Sequence, residues 1–268
     1  MSSLLITPAL VALEVAYLVG WHRLLKAMPD LLSIWRLAAF SCGLLALWAA
    51  AASPLSAIDH HLLTAHMAQH LILMTVSAPL TLLGAPVIVL LNGLPRPFAR
   101  LVSGLLLRCS AVQMMGHVVA HPVFGWFAGA ATVIAWHIPA LFQLGMSSAN
   151  WHEGEYACFL VAGILFWWPV VRPWPGLATW STWGVPLYLF LATLPCDALS
   201  AFLTLCGRVV YPHYLSVHRL FNISPLGDQE CAGALMWVWV TFVYLAPAAV
   251  VTLRALSPLR RDLNAEVA

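Results

Sequence analysis

The chain has 268 residues, of which 62% are hydrophobic and only 8% charged, with a formal net charge of +2. Soluble domains carry about 25% charged residues, so the composition excludes a soluble globular protein. The small, scattered positive balance likewise excludes a nucleic-acid-binding one.

Apolar runs of about 20 residues recur along the chain, the length needed to cross a hydrocarbon core about 30 Å thick. They predict a single all-α integral membrane domain over residues 1–268, a polytopic helical bundle of seven spans. The spans fall at about 5–25, 33–52, 62–91, 122–144, 152–171, 184–206 and 231–253. In MSSLLITPALVALEVAYLVGWHRLLK, Arg23 and Lys26 follow the apolar run instead of preceding it. That order describes a retained first span with its N-terminus outside, not a cleavable signal peptide. The third run is too long for one straight helix and contains Pro79 and Pro86. It is either a kinked helix or a span with a re-entrant half. The connection 92–121, opening NGLPRPFARLVSGLLLR, mixes arginines with leucines and predicts an amphipathic helix along the inner interface.

Charge sidedness agrees with seven spans. Arg23, Lys26, Arg36, Arg96, Arg100, Arg108, Arg172, Arg254, Arg260 and Arg261 fall inside, against Arg208 and Arg219 outside, ten to two. This is the bias of the positive-inside rule, and it puts the C-terminus inside. The thirteen tryptophans fit aromatic belts at the interfaces. None of the six cysteines forms a C-x-x-C pair, although Cys206 and Cys231 fall near one membrane face, where they can pair or bind metal.

With that orientation, eight of eleven histidines collect at the outer face: His60, His61, His66, His70, His137, His152, His213 and His218. An imidazole in a bilayer is costly unless it meets protein, water or a metal. In HHLLTAHMAQH, His66, His70 and Met74 are spaced i, i+4, i+8, with Met67 three residues before His70. An i, i+4 histidine pair converges on one ion. Asp59 joins the same face if the helix begins early. WHIP ends a helix at Pro139 and presents His137; His152 has Glu155 at i+3 as a supporting acceptor. The candidate metal ligands are therefore His66, His70, Met67, Met74, His137 and His152, with Glu155 behind them. Mixed imidazole and thioether donors without paired cysteines favour copper. Two acids lie within spans, Glu14 and Asp197, each costing about 3 kcal/mol at the bilayer centre.

HMAQHLILMTVSAPLTLLGAP resembles the signature of the CtaG-type assembly factors of caa3-type cytochrome c oxidase, a polytopic membrane family. WHIP, the His152 segment leading into GILFWWPV, VVYPHY and SPLGDQECAGALMW extend the likeness over about residues 55–240. The matching positions are His66, Met67, Gln69, His70, Pro79, Gly84, Pro86, His137, His152, Asp228, Gln229, Met236 and Trp237. Gly227 stands where the pattern has an acid, and His60, His61 and Asp197 have no place in it. The resemblance implies a bacterial inner (plasma) membrane protein, not an enzyme, that matures haem–copper oxidase by delivering copper. It implies as partners the oxidase subunits or another copper carrier. Gln69, Asp228, Gln229 and Met236 would support the site, Asp228 either by capping its own helix or by accepting a hydrogen bond from a ligating histidine. Two other classes stand beside this: a membrane haem or di-iron oxidoreductase built on the histidines, and a small-ion transporter using Glu14 and Asp197. The histidine boxes lack the repeated HxxHH pattern and have no Glu among them, which weighs against di-iron.

Overall fold

A computed structural model describes residues 3–27, 33–171, 183–218 and 220–267; Arg172 and Arg219 lie outside these. Among the described residues there are helices and turns and no strand. Helices are the outcome expected in hydrocarbon, where each backbone polar group must be satisfied within its own segment. The first two are α1 (Ser3–Ala27) and α2 (Ile34–Ala51), followed by a single turn, α3 (Leu55–Ile58). Next come α4 (Leu63–Leu71), a π-helical stretch Ile72–Ser77, α5 (Ala78–Leu83) and α6 (Pro86–Gly93). Then follow α7 (Arg96–Arg108), α8 (Ser110–Val119), α9 (Pro122–His137), α10 (Pro139–Ser147) and α11 (Ala149–Val171). The chain ends with α12 (Gly184–Leu205), a short α13 (His213–Ser216) and the long α14 (Pro225–Val267).

Among the described residues, five helices are long and apolar enough to cross a membrane, and three bent pairs raise the number to at most eight. The predicted spans fall on these five and on two of the pairs, α4–α6 and α9–α10; the third pair, α7–α8, is the segment predicted for the interface. It has no buried side chain. The break after α5 is a 63° bend at Ala85, which adopts φ 49° and ψ 53° between Gly84 and Pro86. A positive φ is strained for a residue with a Cβ. It is held by Pro86 on one side and by the Tyr17 hydroxyl, which donates to the Gly84 carbonyl at 2.7 Å, on the other. The 77° bend between α9 and α10 has a simpler cause. Pro139 excludes Ile138 from helical geometry (φ −66°, ψ 127°), so α9 stops at His137 as WHIP predicts.

The described residues form two apolar cores. The smaller joins α1, α2 and α6 through Tyr17, Phe40, Leu44 and Val89. A Cβ on Gly20 would collide with the Val89 carbonyl, and one on Gly93 with that of Ala16, so α1 and α6 touch backbone to backbone. The larger core gathers α4, the π-stretch, α9, α11, α12 and α14. Two of its tryptophans make hydrogen bonds between helices. Trp167 is buried and donates its indole N–H to the Met74 carbonyl at 3.1 Å. Trp239 donates to Thr75 Oγ1 at 2.8 Å. Both brace the π-stretch, where the widened turn leaves backbone groups in need of partners.

Candidate metal centre

The N-terminal ends of α4, α11 and α14, the C-terminal end of α9 and the turns around Asp59 and Tyr211 meet at one end of the larger core. Each brings polar side chains that are buried: Asp59, His66, Gln69, His70, His137, His152, Glu155, Asp228 and Gln229.

The centre of the cluster is Glu155, fully buried on α11. Its Oε1 lies 3.4 Å from His66 Nε2 and 3.3 Å from His70 Nε2, and its Oε2 lies 3.5 Å from His152 Nδ1. None of these atoms has a hydrogen-bond partner, and the other nitrogens of His66 and His70 have none either. Orphaned polar atoms in a dry core each cost about 1–3 kcal/mol. Four donors left unpaired and aimed at one another form a set that an ion would complete. His66, His70 and Glu155 offer ligand atoms all within 4.8 Å of one another. The chemistry of the set fits a borderline transition-metal ion: neutral imidazoles plus one carboxylate. Room for the carboxylate comes from Gly145 on α10, where any Cβ would stand 2.8 Å from Glu155 Oε2. The His70 ring is fixed by stacking on Phe159 at a 3.9 Å centroid distance.

The structure sorts the predicted ligands into two neighbouring groups. His66, His70 and His152 surround Glu155, which the sequence reading held only in a supporting role. Because α11 crosses α4 here, a Glu does fall among the histidines, which removes that ground for setting di-iron aside. Met67 and His137 form the second group. His137 Nδ1–H donates to the Val133 carbonyl at 2.6 Å, so the lone pair of Nε2 faces Met67 Sδ at 3.1 Å. Met74 and Met236 line the same small internal cavity as Met67, His70 and His137. Met74 reaches it from the π-helical stretch.

Asp59 does not extend the histidine helix, since α4 begins only at Leu63. It arrives through the preceding turn and accepts a hydrogen bond from His152 Nε2 at 2.8 Å. The Tyr156 hydroxyl lies 2.6 Å from Asp59 Oδ2 and 2.7 Å from Gln69 Oε1, with one proton to share between them. Gln69 is oriented by donating from Nε2 to the Ala50 carbonyl at 3.0 Å. Burial pushes the Asp59 carboxyl up, but hydrogen bonds from His152 and Tyr156 and the nearby imidazoles outweigh it and hold the group below its ordinary value. Tyr214 donates to the Asp59 carbonyl at 2.8 Å; burial, with Asp59 and Asp228 nearby, pushes its phenol well up and keeps it a donor.

Asp228 also departs from the expectation. It does not cap its own helix: its carboxylate accepts from Leu63 N (2.7 Å), Thr64 N (3.1 Å) and Thr64 Oγ1 (2.7 Å). It is thus the N-terminal cap of α4, supplied by another span, and it fixes the helix that carries His66 and His70. Gln229 ties the turn after α12 to α14 by accepting from Val210 N at 2.7 Å and donating to the Leu203 and Arg208 carbonyls, each at 3.2 Å. Cys206 and Cys231 are both free. Glu14 accepts a hydrogen bond from Ser41 at 2.6 Å beside the smaller core, whereas Asp197 follows Cys196 on α12 in the larger one. The cluster roles of Asp59 and Tyr156 were not read from the sequence: Asp59 reaches the cluster from a separate segment, whereas Tyr156 stands four residues after His152 on α11, a spacing that could have found it.

Fold and site together describe a polytopic helical membrane protein with a buried imidazole–carboxylate cluster at one end. The chain matches, over residues 15–257, the family described as cytochrome c oxidase caa3 assembly factor, and it belongs to that family. It is 27% identical over 241 residues to uncharacterised proteins of Mycobacterium bovis and Mycobacterium tuberculosis, and 25% identical to one of Mycobacterium leprae. In each case the match covers 87% of this chain but 36% of the relative, so the chain spans about a third of the length of those proteins. No solved structure matches.

Proposed function

We propose that the protein holds copper as cargo at this cluster and passes it to an oxidase subunit or to another copper carrier during oxidase maturation. One observation carries the reading: three imidazoles and a carboxylate, all buried, face one another across 3.3 to 3.5 Å through atoms that have no hydrogen-bond partner. His66 and His70 Nε2, His152 Nδ1 and Glu155 would be the ligands of the oxidised ion. Met67 and His137, with Met74 and Met236 around them, offer the softer donors that a reduced copper ion prefers. That adjacent thioether group favours copper over zinc or iron. Membership of the oxidase assembly family supports the destination of the cargo, and the ten-to-two distribution of basic residues supports an outward-facing cluster in a plasma membrane. Under this reading the protein is a carrier, not a catalyst.

Elemental analysis of the detergent-purified protein tests the proposal, run beside a His66→Ala/His70→Ala variant. Near-stoichiometric copper in the wild type and none in the variant is the expected result. Iron in the same position would replace this reading with the oxidoreductase one, and no bound metal after copper loading would overturn metal binding altogether.

A further inference from the structure

The cluster around Glu155 is closed. His66 and Glu155 have no exposed surface, and His70 and His152 are 4% and 8% exposed. Cargo held there can leave only by exchanging ligands through a neighbour nearer the surface. Among the four ligands, His152 alone presents both of its nitrogens to a carboxylate: Nδ1 faces Glu155 at 3.5 Å, and Nε2 faces Asp59 at 2.8 Å. Beyond it stands His60, whose ring lies 5.0 Å from that of His152 and whose side chain is 47% exposed. Asp59, His60 and His152 offer ligand atoms all within 4.8 Å of one another. The rings of His213, His60, His152, His66 and His70 then follow at centroid steps of 6.4, 5.0, 5.4 and 4.3 Å, from the exposed turn into the core.

We infer that Asp59, His60 and His152 form a second, outer station for a divalent transition-metal ion. The cargo passes between this station and the buried cluster by ligand exchange at the two nitrogens of the His152 ring. The inference rests on the reading of the buried cluster as a metal site. Neutral imidazole has one proton and one lone pair, and the second hydrogen bond decides which nitrogen ligates. With the ion inside, Nδ1 ligates and Nε2–H donates to Asp59. With the ion outside, Nε2 ligates and Nδ1–H donates to Glu155. One proton changes nitrogen within the ring, the carboxylate released by the ion becomes the hydrogen-bond acceptor, and the net charge is unchanged. At either station His152 therefore keeps a charged acceptor behind it, the arrangement that orients a metal-bound histidine.

The experiment uses the full chain in detergent, loaded with Cu(II), in wild-type, His60→Ala and His61→Ala forms. Copper content at equilibrium and the rate of release to excess EDTA, followed by the absorbance of the bound ion, are both measured. His61 is the control, since its ring contacts the His218 carbonyl at 3.3 Å and lies outside the set. The expected result is full loading of the buried cluster in all three, with release slowed at least about tenfold in His60→Ala alone. A weaker second equivalent, bound by the wild type at high copper, is also lost in that variant. Release from His60→Ala at the wild-type rate overturns the outer station and leaves the buried site standing. A wild type that takes up no copper overturns the buried site as well.

Discussion

Asp228 lies 164 residues from Thr64 in sequence, yet it decides whether α4 has a cap. Replacing it with Ala deprives the Leu63 and Thr64 N–H groups of their acceptor and leaves the Thr64 hydroxyl only the Asp228 carbonyl, at 3.1 Å. The Leu63 N–H is buried and finds no water, which costs about 1–3 kcal/mol. Thr64 is only half-buried, so water replaces much of what its N–H and hydroxyl lose, at about 1 kcal/mol. The sum is roughly 3 kcal/mol, and at 2–4 °C per kcal/mol for a chain of this size the midpoint of thermal unfolding falls by about 6–12 °C. Intrinsic tryptophan fluorescence during heating in detergent reads this directly. A double-mutant cycle with Thr64→Val isolates the 2.7 Å hydroxyl–carboxylate bond, for which the coupling expected of neighbouring partners is about 1–2 kcal/mol. A midpoint for Asp228→Ala within about 2 °C of wild type, or a coupling of zero, would refute the view that α14 caps the histidine helix.

Three further substitutions separate binding from folding. Glu155→Gln removes the only negative ligand of the buried cluster and lowers copper affinity by at least about 100-fold. Because it also removes an unpaired buried carboxylate, the metal-free variant unfolds at the wild-type temperature or above it; a clear loss of metal-free stability would mean that the carboxylate is held by ion pairs alone. Gly145→Ala places a methyl group 2.8 Å from Glu155 Oε2, so titration with copper shows about tenfold weaker binding, while a helical Ala in place of Gly adds up to about 1 kcal/mol of stability. Gly163→Ala drives a Cβ to 2.7 Å from the Met74 carbonyl and 2.9 Å from Ala78 Cβ. The backbone cannot yield there, and the unfolding midpoint drops by the equivalent of about 1–3 kcal/mol. Finally, with all six cysteines free, adding a thiol reductant leaves the metal-free midpoint unchanged; a reductant-dependent drop would reveal a disulfide.

What the sequence by itself determined is whatever has a local period or a medium-imposed cost. Apolar runs had to become helices because nothing else satisfies a backbone in hydrocarbon. His66 and His70 had to share a face because they are one turn apart on one helix, and the same holds for His152 and Glu155. Pro139 had to stop α9 at His137. Only the tertiary structure decided which of these pairs meet. The crossing of α11 over α4 turns two local pairs into one cluster and moves Glu155 from behind His152 to the middle of three imidazoles. Met67 and Met74 meet His137 and Met236 around one small cavity, a grouping across separate helices that no local spacing connects. Asp59 and Asp228 show the limit most plainly. Each looked like an extension or a cap of the helix next to it in sequence, and each serves a helix to which it is not joined. A carboxylate follows the nearest unpaired donor, and in a packed bundle that donor belongs to whichever chain end lies beside it in space.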